Sequence, residues 1–278
     1  MIVGLAMLAG GVAAGMFGSL LGLGGGILIV PLLTLGFGLP VREAIGVSLV
    51  SVIVTSGASA AVYLERRVAN LRLGMVLELF TAIGAIVGGT IAFLLDERLV
   101  AGLFTALLVY VAVTMARRPT REPAETALAG EPEAPESPTG ALATMTGSLA
   151  GEGYRVSRLG PGAIGSIFAG IISALLGIGG GLVKGPVMHL LMGVPLRVAT
   201  ATSNLMIGIT ASTSAIVYLL RGGIDPFVAG PTAVGVFVGA SIGSRAAHRL
   251  NLRLLRLLFV AVLLYTAFQM ARRTLGFE

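Results

Sequence analysis

The sequence predicts an all-α protein: a polytopic transmembrane helical bundle of two inverted-topology repeats, each with a glycine-broken short or re-entrant helix. Three observations carry that expectation: a shortage of charge, a series of apolar runs of membrane length, and an internal duplication. Of 278 residues, 55% are hydrophobic and 12% charged, about half the ~25% charge that covers a soluble domain. Mean hydropathy is +0.96. The 41 glycines show no G-x-y period, and the apolar content is too high for a disordered chain.

Net charge is +6, but this basicity does not read as nucleic-acid binding. All basic residues except Lys184 are arginines, scattered singly or in pairs at the ends of apolar runs. Such a distribution signals membrane topology. With no cysteine and two distant histidines, neither a disulfide nor a metal cluster is expected, and no cofactor is implied. The first run lacks a basic leader and continues into the protein, so it is not expected to be a cleaved signal peptide.

A crossing helix needs about 20 apolar residues. Runs fall near 2–21, 25–38, 44–64, 73–95 and 99–116, then 162–178, 180–194, 199–220, 227–247 and 254–271. The runs at 25–38 and 180–194 are too short to cross comfortably and are expected to be half-helices or re-entrant segments. Between the halves, residues 119–160 carry five prolines and Glu122, Glu125, Glu131, Glu133, Glu136 and Glu152 without an apolar period. They read as a solvated linker between a first transmembrane repeat, 1–118, and a second, 161–278.

The duplication is gap-free at a shift of 155. LGLGGGILIVPLLTLGFGLPVREA (21–44) lies over LGIGGGLVKGPVMHLLMGVPLRVA (176–199), and MARR (115–118) over MARR (270–273). Over a third of the paired positions are identical, including Pro31/Pro186, Pro40/Pro195 and Arg42/Arg197. If each half crosses an odd number of times, most arginines share one side with the linker, and fewer do so for an even number. The positive-inside rule therefore favours inverted repeats with a cytoplasmic linker.

Each short run opens on a G-x-G-G-G cluster: Gly22, Gly24, Gly25 and Gly26, then Gly177, Gly179, Gly180 and Gly181. No βαβ context supports a dinucleotide site. In a bilayer, glycines that break a helix leave N–H groups needing partners, and two half-helix starts meeting near the midplane would attract an anion. Close helix packing is the simpler alternative. Lys184 and His189 follow the second cluster; the first reads as an anion ligand or a snorkelling charge, the second as a ligand or a satisfied core residue. Ser48 and Ser51, and Thr202, Ser203 and Asn204, offer polar groups at the start of a long helix, for substrate or for helix–helix bonding. Glu78 is expected near an interface, with cation pairing or proton carriage as alternatives. Arg42 and Arg197 read as anion-attracting residues at the two mouths or as ordinary anchors. Gly84/Gly88 and Gly239/Gly243 form G-x-x-x-G packing faces, and Tyr63 and Tyr218 read as interface aromatics.

The GLGGG…VP…G-x-P-x-R-x-A order, which the second half follows as GIGGG…GP…G-x-P-x-R-x-A beyond a variable hydrophilic centre, resembles the TauE/SafE sulfite exporter family. That resemblance implies a transporter in the bacterial inner (cell) membrane that exports small anions such as sulfite or organosulfonates by alternating access. It places substrate near Gly24, Gly25, Gly26 and Ser48, and near Gly179, Gly180, Gly181 and Asn204. Lys184, His189, Thr202 and Ser203 are added from this sequence alone. A potential of about 100 mV, inside negative, would favour expelling a monoanion by about 2.3 kcal/mol. The implied partners are a small anionic substrate and the lipid bilayer, with no nucleic acid; a homo-oligomer is left open. The chain is not expected to be an enzyme. A membrane-embedded enzyme acting on lipid or peptide, and a passive anion channel, are the alternatives.

Overall fold

A computed structural model describes residues 2–20, 26–65, 69–117, 154, 156–246 and 252–274. Nearly all of the 119–160 segment, and the candidate residues Gly24 and Gly25, lie outside them. Among the described residues are ten helices. The first half holds α1 (Ile2–Leu20), α2 (Gly26–Pro31), α3 (Val41–Glu65), α4 (Leu71–Leu94) and α5 (Glu97–Arg117). The second holds α6 (Leu159–Leu176), α7 (Gly181–Pro186), α8 (Leu196–Leu220), α9 (Pro226–Ala246) and α10 (Leu252–Thr274). Five helices are long and apolar enough to cross a bilayer. Large apolar side chains such as Met75, Leu79, Phe168, Phe227 and Phe268 stand on the outer surface, where only lipid would cover them without cost.

The short runs form short helices in both halves. After Pro31 and Pro186, α2 and α7 widen into π turns, Leu32–Gly36 and Val187–Leu191. Proline lacks the N–H for an i→i−4 bond, so the ladder loosens at matching places. With its π turn, the segment Gly26–Gly36 reaches about 17 Å, little more than half of a roughly 30 Å hydrocarbon core. The returns to the next helix match as well. Leu39 N–H donates to Leu33 O at 3.2 Å, and Val194 N–H to Met188 O at 3.1 Å.

The halves interlock. α1 packs along α9, and α4 along α6, with glycines letting backbones touch. A Cβ on Gly84 would fall 2.1 Å from Ile167 O, and on its counterpart Gly239 2.0 Å from Val12 O. Gly88 on Ile171, and Gly243 on Met16, repeat the contact one turn later. Gly170 meets Thr81 O as Gly15 meets Val236 O. The expected G-x-x-x-G faces are therefore backbone-to-backbone seams, and every one has its partner at the 155-residue shift.

α3 and α8 pack against each other and run antiparallel. Gly46, early in α3, meets Gly223 just beyond α8, whereas Gly208 in mid-α8 meets Ser56. α5 and α10 do likewise, since Glu97 and Arg98 share a cavity wall with Met270 and Arg273.

Candidate functional site

The second glycine cluster ends α6 and turns the chain into α7. Gly177, Gly179 and Gly180 have φ of +68°, +71° and +75°, where a side chain would strain the backbone. Gly177 N–H donates to Ser173 O at 2.8 Å, closing α6. Gly26, the described residue of the first cluster, lies at this same point. A Cβ on Gly26 would sit 2.8 Å from Gly177 O and 3.0 Å from Ser48 Oγ. Ser48 Oγ lies within donating distance of both Gly26 O, 3.0 Å, and Gly177 O, 2.8 Å; its single proton serves one at a time. In the other half Ser203 Oγ reaches Gly181 O at 3.3 Å. Val52 and Ile207, also equivalent, close over the glycines: Val52 touches Gly26 and Gly179, Ile207 touches Gly179 and Gly181. Gly26, Gly179 and Gly181 are therefore closely packed against side chains of α3 and α8.

Beside this turn lies the most polar part of the interior. Lys184 is 1% exposed, so it does not snorkel to an interface. Its Nζ donates to Glu78 Oε2 on α4 at 2.8 Å and to Thr210 Oγ1 on α8. Thr210 Oγ1 in turn lies 2.6 Å from Glu78 Oε1 and 3.1 Å from Met206 O. Glu78 is 5% exposed, which corrects the interfacial placement: α4 carries it inward, onto the cation. A Cβ on Gly180 would fall 3.5 Å from Lys184 Cε and 3.3 Å from Ser173 Cβ. Ser173 is fully buried, and among the described residues its Oγ finds no hydrogen-bond partner. A glycine turn, an ammonium and an unsatisfied hydroxyl therefore adjoin.

The structure brings Gly26, Ser48, Gly179, Gly180, Gly181, Lys184 and Ser203 into one region. His189 stands apart. It is exposed on the π turn, and its Nδ1 lies 3.0 Å from Val194 O in its own return loop. Thr202 faces α4, where its Oγ1 accepts from Asn70 N–H at 2.9 Å. Asn204 is half-buried one residue past Ser203. Arg42 is an anchor: its Nε donates to Ala92 O at 3.1 Å and its Nη2 to Leu95 O, satisfying carbonyls at the end of α4. The Arg197 and Tyr63 side chains lie outside the described residues. Tyr218 is fully buried rather than interfacial, its hydroxyl donating to Ala174 O at 3.0 Å. Its ring meets Phe93 edge-on at 5.0 Å.

A cavity of about 310 Å³ opens beside the first π turn, lined among others by Thr34, Pro40, Glu97, Arg98 and Arg273. Arg273 Nη1 donates to Thr34 O at 2.6 Å, and Glu97 Oε1 accepts from Val41 N–H at 2.5 Å. The sequence analysis missed Thr210 and Ser173, and it offered cation pairing for Glu78 without naming Lys184 as the partner.

Interlocked apolar helices around a buried polar centre define a multi-pass membrane protein. The family model described as sulfite exporter TauE/SafE matches residues 7–270, and the chain belongs to that family. It is 26% identical over 268 residues to "Probable membrane transporter protein YunE" of Bacillus subtilis, covering 94% of each chain. It is 23% identical over 269 residues to "Probable membrane transporter protein MJ0441" of Methanocaldococcus jannaschii, covering 91% of this chain and 90% of that one. A 26% identity to "Probable membrane transporter protein MamO" of Paramagnetospirillum magneticum spans 97% of this chain but 44% of that protein. No solved structure matches the chain.

Proposed function

We propose that this membrane transporter carries small anions, such as sulfite or organosulfonates, by alternating access around the centre where Gly26 meets the second glycine turn. The observation that carries the reading is the closeness of Gly180 to both Lys184 and Ser173, whose hydroxyl has no partner among the described residues, with Ser48 Oγ reaching both Gly26 O and Gly177 O. An anion there would gain a cation, a hydroxyl and the backbone of glycines that offer no steric shield. The family name and the relatives' names support transport over catalysis.

The antiparallel course of α3 and α8 supports inverted repeats. A two-fold that exchanges two helices running in opposite directions lies across them, hence in the plane of a bilayer they span. One half then rocks or gates against the other. The cavity with Arg98 and Arg273 would be one approach to the centre, attracting anions through its charge. The arginine distribution supports a cytoplasmic 119–160 linker, and the family name supports export across a bacterial inner membrane.

Thermal shift and proteoliposome counterflow test this together. Sulfite or a small alkanesulfonate should raise the Tm of the wild type and drive saturable counterflow. Both effects should vanish in the double variant Lys184→Met/Glu78→Gln, which leaves no buried charge unpaired. Large ohmic currents would replace the carrier by a channel. Counterflow that survives in the double variant would move the cargo site elsewhere.

A further inference from the structure

We infer that Glu78 is a resident stand-in for cargo: it neutralises Lys184 when the site is empty and takes up a proton when an anion displaces it. This rests on the anion-carrier reading and adds a stoichiometry, one proton moving with one monoanion in the same direction, without net charge.

The geometry leads there. The Lys184 ammonium is enclosed, and its hydrogen bonds go to Glu78 and Thr210. An arriving anion meets an ammonium whose charge the Glu78 carboxylate already neutralises. If the carboxylate gave way but stayed ionised, two anions would share one cation in a low-dielectric interior, which is strongly unfavourable. Protonation resolves the conflict. The protonated acid can donate to Thr210 Oγ1, which already lies 2.6 Å from Glu78 Oε1. Charge then balances at both ends of the cycle: Lys⁺ with Glu⁻ when empty, Lys⁺ with the anion and a neutral Glu78 when loaded. The proton comes from water on the loading side. It leaves on the other side, as the carboxylate reclaims Lys184 and the anion departs.

No other described ionisable group complicates this exchange. α4 packs on α6 and α8. α6 carries no ionisable side chain between Leu159 and Leu176. α8 brings Thr210 to Glu78 and holds Tyr218 two turns further along, its hydroxyl bonded to Ala174 O. The short α7 brings Lys184, and His189 is exposed on the π turn beyond it. Arg72, on α4 itself, is exposed near that helix's start. The repeat-equivalent positions of Lys184 and Glu78 hold Ile29 and Ala233, so the molecule has one such exchange and one proton per cycle. A neutral cycle also removes the membrane potential as a driving force; anion and pH gradients set the direction.

The test uses the full chain in proteoliposomes with a lumenal pH dye, and methanesulfonate as probe, with sulfite in parallel. Methanesulfonate stays ionised at neutral pH, so any proton that accompanies it is moved by the protein. Wild-type uptake should acidify the lumen by one proton per anion and change less than about twofold when valinomycin sets the potential. Glu78→Gln should retain counterflow, lose acidification, and lose net uptake by at least about tenfold, because the empty site then returns with an uncompensated charge. Wild-type uptake that is driven by potential without acidification, or a Glu78→Gln variant that still moves protons with the anion, would overturn the inference. The wild-type measurements decide it even if that variant fails to fold. Absence of wild-type counterflow with both probes would instead remove the anion-carrier reading itself.

Discussion

Two regions of this molecule occupy equivalent places in the duplication and differ in buried charge. In the second half, the short helix carries Lys184, with Glu78 and Thr210 closing on it. The equivalent place around the first short helix has Ile29 and Thr55 from the first half and Ala233 from the second, and Ile29 is fully buried. The surrounding frame is shared: Pro31 with Pro186, Ser48 with Ser203, Gly26 with Gly181. The backbone architecture is what both copies must keep to fold, and a charge is what one copy has acquired on top of it.

The largest effect should come from erasing the difference by halves. Lys184→Ile alone copies the first-half residue but strands Glu78, and should cost about 3–5 kcal/mol, read as a fall in detergent Tm. Adding Glu78→Ala completes the copy. The double variant should regain most of that stability, since apolar replacement of a whole buried pair is often neutral, while anion counterflow stays lost. A double variant as unstable as the single one would show that the pair holds the fold rather than the cargo.

Next in size are the seams, where the halves should behave alike. Gly84→Ala and Gly239→Ala each push a Cβ into a carbonyl. Each should destabilise by about 1–3 kcal/mol, and a marked inequality would break the equivalence. Smallest is the serine pair. Ser48→Ala removes a hydroxyl within reach of both turns, whereas Ser203 makes one longer bond to Gly181 O. Ser48→Ala should cost about 1 kcal/mol in thermal unfolding and Ser203→Ala less.

Much of the architecture was legible because it is written twice. The glycine clusters, the in-register prolines and the G-x-x-x-G faces each recur at the same shift; the second cluster is a turn, the prolines precede π turns, and the faces are seams. The ion pair was harder to read. Glu78 and Lys184 are 106 positions apart on different halves, and no spacing rule links α4 to α7. One signal was present: each is a lone charge at a site where the other copy is apolar, and two opposite departures from a duplication invite pairing. His189 and Thr202 are placed away from the glycine turn. His189 is exposed on its π turn, although its counterpart Thr34 is buried on the matching one. Thr202, one residue before Ser203, points to the next face of α8 and meets Asn70 instead of the glycines. Tyr218 looked interfacial because tyrosine commonly is; Ala174 O gives its hydroxyl a partner indoors.

The seams also bear on how such a chain arises. Each half presents the glycine-notched face of its first helix to the fourth helix of the other, so neither half can bury that face within itself. Expressed alone, a five-helix half would have to find a second copy, and in that symmetric pair every buried lysine would come with a twin. Fusing the two copies into one chain lifts that restriction, because a single position can then change without its twin.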